Sequence, residues 1–380
     1  MKKYLEKNVY EALQDRLKFI FENFDNIYVS FSGGKDSGLL LNMVLSYKRQ
    51  HKITKKIGVF HQDFEAQYQT TTDFVTRMFE NNLEDIEPYW VCLPMGSRCA
   101  VSNYQMYWYP WDPDMKDLWV RPMPKMPYII NMDNNPFDFY RYKMVQEDLY
   151  AEFGDWYSRQ KKGKTICLLG IRADESLNRY RAYANDRKTI MQGNQWTTQM
   201  GENWWNAYPI YDWTTKDVWI ANGKFDYDYN RIYDLFWKSG LSISQMRVAS
   251  PYHESAKESL NLYRVLEPAT WVRVVSRVQG ANFGAIYGNS HALGARKIEL
   301  PAGHTWRSYV KFLLATLPET MRRNYIEKFK TSIRFWWKKG GVVSDEAIKE
   351  LEACNYSIRH NGKSNYRSEK ERIAFLGTPD

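Results

Sequence analysis

The first residues whose types and spacing suggest chemistry are Ser-Gly-Gly-Lys-Asp-Ser at positions 32–37. They follow an apolar run at 27–31 and precede a long apolar-periodic segment, which indicates a strand, a tight loop and a helix start. Glycines let backbone N–H groups approach phosphate oxygens, lysine adds a point charge, and a helix N-terminus favours an anion. The pattern therefore predicts a phosphate-binding loop made by Ser30, Ser32, Gly33, Gly34, Lys35, Asp36 and Ser37.

This loop differs from the two commonest phosphate-binding patterns. In the Walker motif the Gly-Lys pair is followed by serine or threonine, whereas Asp36 follows it here. The GxGxxG spacing of dinucleotide-binding folds is also missing. The order strand, SGGKDS, helix resembles the PP-loop of the ATP pyrophosphatases, in which ATP is cleaved between its α- and β-phosphates.

Strands and helices are expected to alternate along the first part of the chain. Buried strands are predicted at 26–31, 55–63, 86–94 and 164–172, with helical segments before and between them. This alternation predicts βαβ units and an α/β fold with a doubly wound, mostly parallel sheet. Ligands of such sheets collect at the carboxyl ends of the strands, which is where the SGGKDS loop lies.

Two parts of the chain depart from this alternation. Residues 95–138 crowd prolines among aromatic residues, which predicts a packed, irregular insertion. After a nucleotide-binding domain of residues 1–230, residues 231–380 are expected to form a second, mainly helical domain. It carries 24 Lys and Arg against 14 Asp and Glu, a charge that suits either an anionic partner or a solvated basic surface.

Two further segments carry a family resemblance. Residues 170–179 match G-x-R-x-x-E-S-x-x-R, and residues 209–219 match P-[IL]-x-D-W-T-x-x-D-V-W. With the acidic strand end at Asp63 and Glu65, they resemble the phosphoadenosine phosphosulfate (PAPS) reductase-like family of the adenine nucleotide α-hydrolase superfamily. The insertion and the basic C-terminal part look most similar to the subgroup described as co-activators of prophage gene expression.

The resemblance implies ATP and Mg²⁺ as ligands and assigns roles to particular residues. An acceptor oxygen would attack the α-phosphate, and pyrophosphate would leave. The implied residues are, for catalysis, Lys35, Asp36, Arg172 and Arg179, and, for the nucleotide, Asp63, Gly170, Ile171 and Glu175 in addition to the loop. Asp36 or Asp63 would hold the Mg²⁺.

The cysteines separate this chain from the redox members of that family. The four cysteines lie far apart without a CxxC pair, which argues against a zinc site and a disulfide framework. PAPS reductases resemble this chain but carry a nucleophilic cysteine in an E-C-G-[LI]-H segment, and iron–sulfur relatives cluster cysteines after the D-W-T segment. Neither pattern occurs here, so no Fe–S cluster is expected.

Two alternatives to an adenylating enzyme stay open. One is a nucleotide-dependent regulatory or nucleic-acid-binding protein, favoured by residues 271–340, where 13 Lys and Arg stand against 3 Asp and Glu among four tryptophans. The other is thioredoxin-dependent PAPS reduction through Cys354. No apolar run is long enough to predict a membrane span, and the cysteine content suggests a reducing cytoplasm.

Overall fold

A mostly parallel sheet forms the centre of the fold. The computed structural model describes residues 5–243, 245–254, 260–282 and 301–338. Within these ranges seven strands form one sheet, and two short strands form a separate hairpin. The strands are β1 Asn26–Ser30, β2 Ile57–Gln62, β3 Ile86–Val91, β4 Ser97–Arg98, β5 Tyr107–Trp108, β6 Ile129–Ile130, β7 Thr165–Leu169, β8 Thr197–Gln199 and β9 Trp204–Ala207.

The strand order places a topological switch beside β1. The order is β6-β3-β2-β1-β7-β9-β8, and every neighbouring pair is parallel except β8 with β9. Tyr28 in β1 lies opposite Gly58 in β2 and Cys167 in β7. The chain builds outward from β1 to β6 on one side and then begins again with β7 on the other. The loops after β1 and β7 thus leave the sheet at the kind of switch point where doubly wound folds bind ligands.

Helices connect the strands, and several begin at side-chain caps. Asn8 and Thr214 each form a capping box with the residue three positions later, which satisfies free N–H groups of the first turn. The helices are α1 Val9–Asn23, α2 Lys35–Gln50, α3 Gln69–Glu80, a 3₁₀ helix Pro113–Leu118, α4 Gln146–Gln160, α5 Leu177–Ala184, α6 Thr215–Lys224, α7 Ile232–Lys238, α8 Leu262–Leu266, α9 Pro268–Arg277, α10 Trp306–Ala315 and α11 Glu319–Lys338.

The sheet is covered on both faces, so the predicted doubly wound α/β architecture is confirmed. Side chains alternate along β1, and Ile27 and Val29 join the apolar cluster that contains buried residues of α1, α2, α3 and α6. Tyr28 points to the opposite face and packs with Phe153 of α4. Burial on both faces explains why the parallel strands read as continuous apolar runs rather than as alternating patterns.

The segment at 209–219 stabilises the fold around the sheet. The guanidinium of Arg16 in α1 donates to both carboxylate oxygens of Asp212, at 2.8 and 2.6 Å. Trp213 is 2% exposed and belongs to the same apolar cluster as α1 and α2. Thr214 caps α6. These residues therefore attach α1 and α6 to the sheet.

The insertion at 95–138 is packed and mostly irregular, with only the β4–β5 hairpin, a 3₁₀ helix and the edge strand β6 as regular elements. Glu65 holds the insertion in place; its side chain is fully buried, and its backbone is in the left-handed region at φ +60°. Its carboxylate accepts hydrogen bonds from the backbone N–H groups of Trp111 at 2.7 Å and Val120 at 3.0 Å. One carboxylate after β2 thus holds two distant points of the insertion.

The same carboxylate attaches α9 to the sheet. Arg277, at the end of α9, pairs with Glu65 at 2.9 Å, and both side chains are at least 96% buried. At the other end of α9, Glu267 accepts a hydrogen bond of 2.8 Å from the free N–H of Gln69 at the start of α3. Residues 260–278 are therefore part of the sheet-containing unit.

The chain divides into two compact units, Met1–Arg98 with Tyr107–Val278, and Cys99–Met106 with Gln279–Asp380. In the second unit Asn324 donates to the carbonyl of Asn103 at 2.7 Å. The domain division predicted after residue 230 stays a prediction, although residues 231–278 lie in the first unit. Among the residues that the structure describes, none of the helices has the length and apolar content that a membrane crossing requires.

Replacing Arg277 with methionine tests the buried pair. Arg277→Met leaves a buried carboxylate without its counter-ion, so we expect the free energy of unfolding to fall by about 3 kcal/mol or more in urea denaturation. Arg141→Met, which removes an exposed pair with Glu152, is the control and should change the unfolding midpoint little. Equal small losses in both variants would show that the Arg277 pair does not attach α9.

Candidate functional site

The loop after β1 requires glycine at one position and leaves space at the next. Gly33 has φ +76°, and a Cβ there would lie 2.9 Å from Val75 Cγ2, so any side chain is strained. Gly34 is the N-cap of α2 at φ −83°, and a Cβ there would meet Ser32 Oγ at an ordinary 3.4 Å. Gly33 thus shapes the loop, whereas Gly34 keeps its surface open.

Two serines hold the loop against the first turn of α2. The hydroxyl oxygens of Ser32 and Ser37 lie 2.9 Å apart, and the backbone N–H of Ser32 donates to Ser37 Oγ at 3.2 Å. Ser37 Oγ in turn donates to the carbonyl of Gly34 at 3.2 Å. The hydroxyls therefore fix the turn between strand and helix.

Residues from α7 and the segment before it support the loop from outside the motif. Asn230 is fully buried, and its amide donates to the carbonyl of Gly33 at 3.0 Å and to Thr71 Oγ1 at 2.9 Å. The hydroxyl of Tyr233 accepts from the backbone N–H of Lys35 at 3.0 Å. Burial, and then the charge of Asp36, raise the pKa of Tyr233. Its hydroxyl therefore stays protonated and can donate to a ligand.

A glycine at the end of β7 allows the second motif to reach the loop. A Cβ on Gly170 would lie 2.8 Å from the backbone nitrogen of Ser37 and 2.9 Å from its Cα, closer than real Cβ contacts occur. The backbone after β7 is therefore in direct contact with the first turn of α2. Gly170 brings the segment 170–179 beside the SGGKDS loop.

A pocket of about 390 Å³ opens at this junction, at the carboxyl ends of β1 and β7. This volume is in the range of small-ligand sites. Ten of the residues predicted for the site line it, together with Leu169, Tyr233, Arg247 and Val248. The ten are Ser30, Ser32, Gly34, Lys35, Asp36, Ser37, Gly170, Ile171, Glu175 and Arg179. Gly33, Asp63 and Arg172 are not among the lining residues.

Arg172 lies behind the pocket rather than in it. Its side chain is 2% exposed and donates to Asp36 Oδ1 at 2.7 Å and to Asp174 Oδ1 at 2.5 Å. Lys35 Nζ lies 3.1 Å from the other carboxylate oxygen of Asp36. Arg172 therefore pairs with Asp36 and Asp174 and does not line the pocket, and the catalytic role implied for it stays a prediction.

The two other arginines that line the pocket, Arg179 and Arg247, have different partners among the described residues. Arg179, 39% exposed, pairs with Glu175 at 2.9 Å. Arg247 donates to the backbone carbonyl of Glu175 at 3.3 Å. Among the described residues no carboxylate lies within ion-pair distance of Arg247. Its charge is thus available for an anion in the pocket.

Asp63 lies away from the pocket, and its charge is already compensated. Its carboxylate is fully buried, accepts from Arg121 at 2.5 Å and from Trp90 Nε1 at 2.8 Å, and also accepts the N–H of Glu65. Although burial opposes ionisation, the cationic Arg121 and the hydrogen bonds hold the pKa of Asp63 below its usual value. Asp63 is therefore an anchor for Arg121.

Of the two carboxylates predicted to hold Mg²⁺, Asp36 is better placed than Asp63. Among the described residues there is no group of three or more His, Cys, Asp or Glu side chains that would enclose a metal ion. Mg²⁺ is commonly held by one or two carboxylates together with substrate phosphates, and Asp36 lines the loop pocket, where Arg172 and Lys35 pair with its two oxygens. Asp63 is the weaker candidate, since it is fully buried and does not line the loop pocket.

The described cysteines are poor nucleophiles. Cys92, Cys99 and Cys167 are buried, and burial raises the pKa of each thiol, that of Cys167 to about 12. A thiolate is the reactive form of cysteine, so these three stay inert at neutral pH. Cys354, the candidate for reductase chemistry, lies outside the described residues.

Three residues of this site were not anticipated from the sequence. Asn230, Tyr233 and Arg247 lie in a stretch that matches no phosphate-binding pattern. Asn230 bonds to Gly33 across 197 positions of the sequence, and Tyr233 bonds to Lys35 across 198 positions. Local patterns carry no signal for such contacts.

The two arginines of the segment 170–179 provide a test of these placements. Arg172→Ala removes the buried guanidinium that pairs with Asp36 and Asp174, of which, among the described residues, Asp36 alone keeps a second cation in Lys35, and we expect about 3 kcal/mol of stability to be lost in urea unfolding. Arg179→Ala removes a half-exposed pair and should cost less than about 1 kcal/mol. If the two variants lose similar stability, Arg172 does not hold the buried position assigned to it.

Comparison with known proteins places the chain in a family. A model described as a domain of unknown function, DUF3440, matches residues 240–380. That range includes Arg247 and α9, which belong to the sheet-containing unit. The chain is 35% identical over 341 residues to the uncharacterized protein YbdN of Escherichia coli (strain K12), covering 88% of this chain and 82% of YbdN.

The matches among solved structures are more distant. The PAPS reductase of Candida auris, in a phosphate complex, is 13% identical, with 62% of this chain and 93% of that chain covered at a TM-score of 0.33. Candida glabrata FMN adenylyltransferase in complex with ATP is 12% identical, with 61% and 62% covered at 0.34. TM-scores this low carry no inference about a ligand. The identity with YbdN does show kinship, and the chain belongs to the YbdN family.

Proposed function

We propose that the chain binds ATP with Mg²⁺ in the loop pocket and cleaves it between the α- and β-phosphates to adenylate an acceptor. The observation that carries this proposal is the position of the SGGKDS loop at the start of α2. There the SGGKDS loop opens onto a pocket at the sheet's switch point, lined by Lys35, Arg179 and Arg247. The resemblance of this loop to the PP-loop of ATP pyrophosphatases supports α–β cleavage over γ-phosphate transfer.

In the proposed step an acceptor oxygen attacks the α-phosphorus and forms a new P–O bond. The bond from that phosphorus to the oxygen bridging to the β-phosphate breaks, pyrophosphate leaves with both electrons, and the acceptor's proton passes to water. Lys35 and the N-terminus of α2 stabilise the charge that develops on pyrophosphate. When bound, Mg²⁺ neutralises phosphate charge, and Asp36, held in place by Arg172, is its candidate ligand.

Tyr233 and Arg247 extend the phosphate site beyond the loop. The hydroxyl of Tyr233 accepts the Lys35 N–H and so has its own proton free to donate to a phosphate oxygen. Arg247 adds a guanidinium, the group best suited to bidentate phosphate binding. Both come from residues 231–278, which makes the second half of the chain part of the proposed nucleotide site.

PAPS in place of ATP, with reduction through Cys354, is the alternative that the same pocket would accept. The pocket binds an anion by its cations and backbone, and both nucleotides carry the required phosphates. The described cysteines do not favour reduction, because all three are buried with raised pKa values. A role as a nucleic-acid-binding regulator, as in the co-activator subgroup, would use the basic residues 271–340, of which only part is described.

Calorimetric titration with ATP, AMP and PAPS, followed by product analysis, tests the proposal. We expect ATP to bind in the presence of Mg²⁺, with AMP, or an adenylated product, and pyrophosphate formed in equal amounts. Lys35→Ala should weaken ATP binding on the order of tenfold, because charge-assisted contacts contribute about 1.5–3 kcal/mol. Lys55→Ala, an exposed lysine before β2, is the control and should bind as the parent does.

Other outcomes of this titration would contradict the proposal. ADP and phosphate as products would mean β–γ cleavage. If the protein binds PAPS but does not bind ATP, the site takes a sulfonucleotide rather than ATP. If folded Lys35→Ala and Gly34→Val variants both bind ATP as tightly as the parent protein, the nucleotide does not bind at this loop.

Arg247→Ala tests the contribution from the DUF3440-matched part. We expect ATP affinity to fall about tenfold, since no carboxylate in the described part of the chain pairs with Arg247 and its charge is available to the phosphates. Arg264→Ala, an exposed arginine in α8, is the matched control and should leave ATP affinity unchanged. If Arg247→Ala binds ATP like the control, Arg247 contributes nothing to phosphate binding.

A further inference from the structure

The insertion contains a second and larger cavity. It measures about 890 Å³ and lies between residues 111–134 and Arg273 of α9, all within the sheet-containing unit. None of its lining residues also lines the loop pocket. We call it the insertion pocket, and it has no part in the proposed ATP chemistry.

Aromatic and sulfur-containing side chains form the walls of the insertion pocket. Trp111 and Trp119 meet edge to face, with ring centroids 5.1 Å apart at 85°. Met123 and Met126 are half-buried and pack against the main apolar cluster. Flat rings and adaptable thioethers are the surfaces that bind a planar or apolar group.

The walls are held in place before any ligand arrives. Trp111 is 1% exposed and left-handed at φ +56°, a conformation that costs a bulky residue on the order of 1 kcal/mol or more. Its backbone N–H donates to Glu65 at 2.7 Å, and its indole N–H donates to the carbonyl of Asp63 at 3.0 Å. Trp119 donates its indole N–H to the carbonyl of Asp112 at 2.9 Å. The strained, multiply bonded tryptophan indicates a preformed cavity.

The charges around the cavity favour an anion. Lys116, Lys125 and Arg273 line it from two separate segments, and among the described residues none of them has an ion-pair partner. Asp117 and Asp133 are the opposing carboxylates, so unpaired cations outnumber unpaired anions by three to two.

A fourth cation borders the cavity from behind. Arg121 lines it while pairing with Asp63, and its Nε is buried without a hydrogen-bond partner. Because Asp63 pairs with Arg121, this guanidinium adds less to the preference for an anion than Lys116, Lys125 and Arg273 do.

We propose that the insertion pocket binds a small organic anion with a flat, apolar body. The body would lie against Trp119 and the methionines, and its acidic group would face Lys116 and Lys125. This site does not depend on the proposed ATP chemistry, because it shares no residue with the loop pocket.

Two dyes with the same aromatic body separate charge recognition from apolar adsorption. Anilinonaphthalene sulfonate carries a sulfonate, and phenylnaphthylamine is its neutral counterpart. With the full-length protein, fluorescence titration should show the sulfonate bound about tenfold more tightly than the neutral dye. Excess ATP should not displace it, which distinguishes the insertion pocket from the loop pocket.

Charge-reversal variants locate the bound dye. Lys116→Glu and Lys125→Glu replace exposed residues, so the fold should be unaffected, and each should weaken the sulfonate several-fold while leaving the neutral dye unchanged. Lys55→Glu makes the same charge change before β2 and should have no effect. Equal affinity for both dyes, displacement by ATP, or identical affinities in all three variants would each overturn the proposal.

Discussion

The contact between the end of β7 and the first turn of α2 is the interaction on which the candidate site depends. Gly170 permits it, because any Cβ there would lie under 3 Å from the backbone of Ser37. The contact brings together two motifs that are far apart in the sequence. The hydrogen bond from Arg172 to Asp36, for example, joins residues 136 positions apart. Since β1 and β7 are neighbours at the sheet's switch point, the pocket forms at the place where doubly wound folds leave room for ligands.

Charge pairing then decides which side chains are available to a ligand. Asp36 is held between Lys35 and Arg172, and Glu175 pairs with Arg179. After these pairs are formed, Arg247 keeps its charge for the pocket. The surroundings of Asp63 illustrate the opposite case, because Arg121 and two N–H donors already satisfy a carboxylate that stands at a strand end.

A buried ion pair also connects distant parts of the sheet-containing unit. Glu65 binds two backbone N–H groups of the insertion and the guanidinium of Arg277, so one carboxylate joins three parts of the chain. This pair attaches α9 beside the sheet, whereas Tyr233 and Arg247 are held by their own hydrogen bonds to Lys35 and Glu175. The part of the chain matched by DUF3440 therefore begins within the sheet-containing unit.

The sequence by itself determined the central strands and the glycine loop between β1 and α2. Apolar runs marked β1, β2, β3 and β7, and Gly33 marked a turn that only glycine adopts easily, because burial and backbone strain are local properties. Only the tertiary structure decided which partners Asp63 and Arg172 have. A charged side chain's role depends on its partners, and these lie 58 positions away for Asp63 and 136 for Arg172. No local pattern encodes such a pairing.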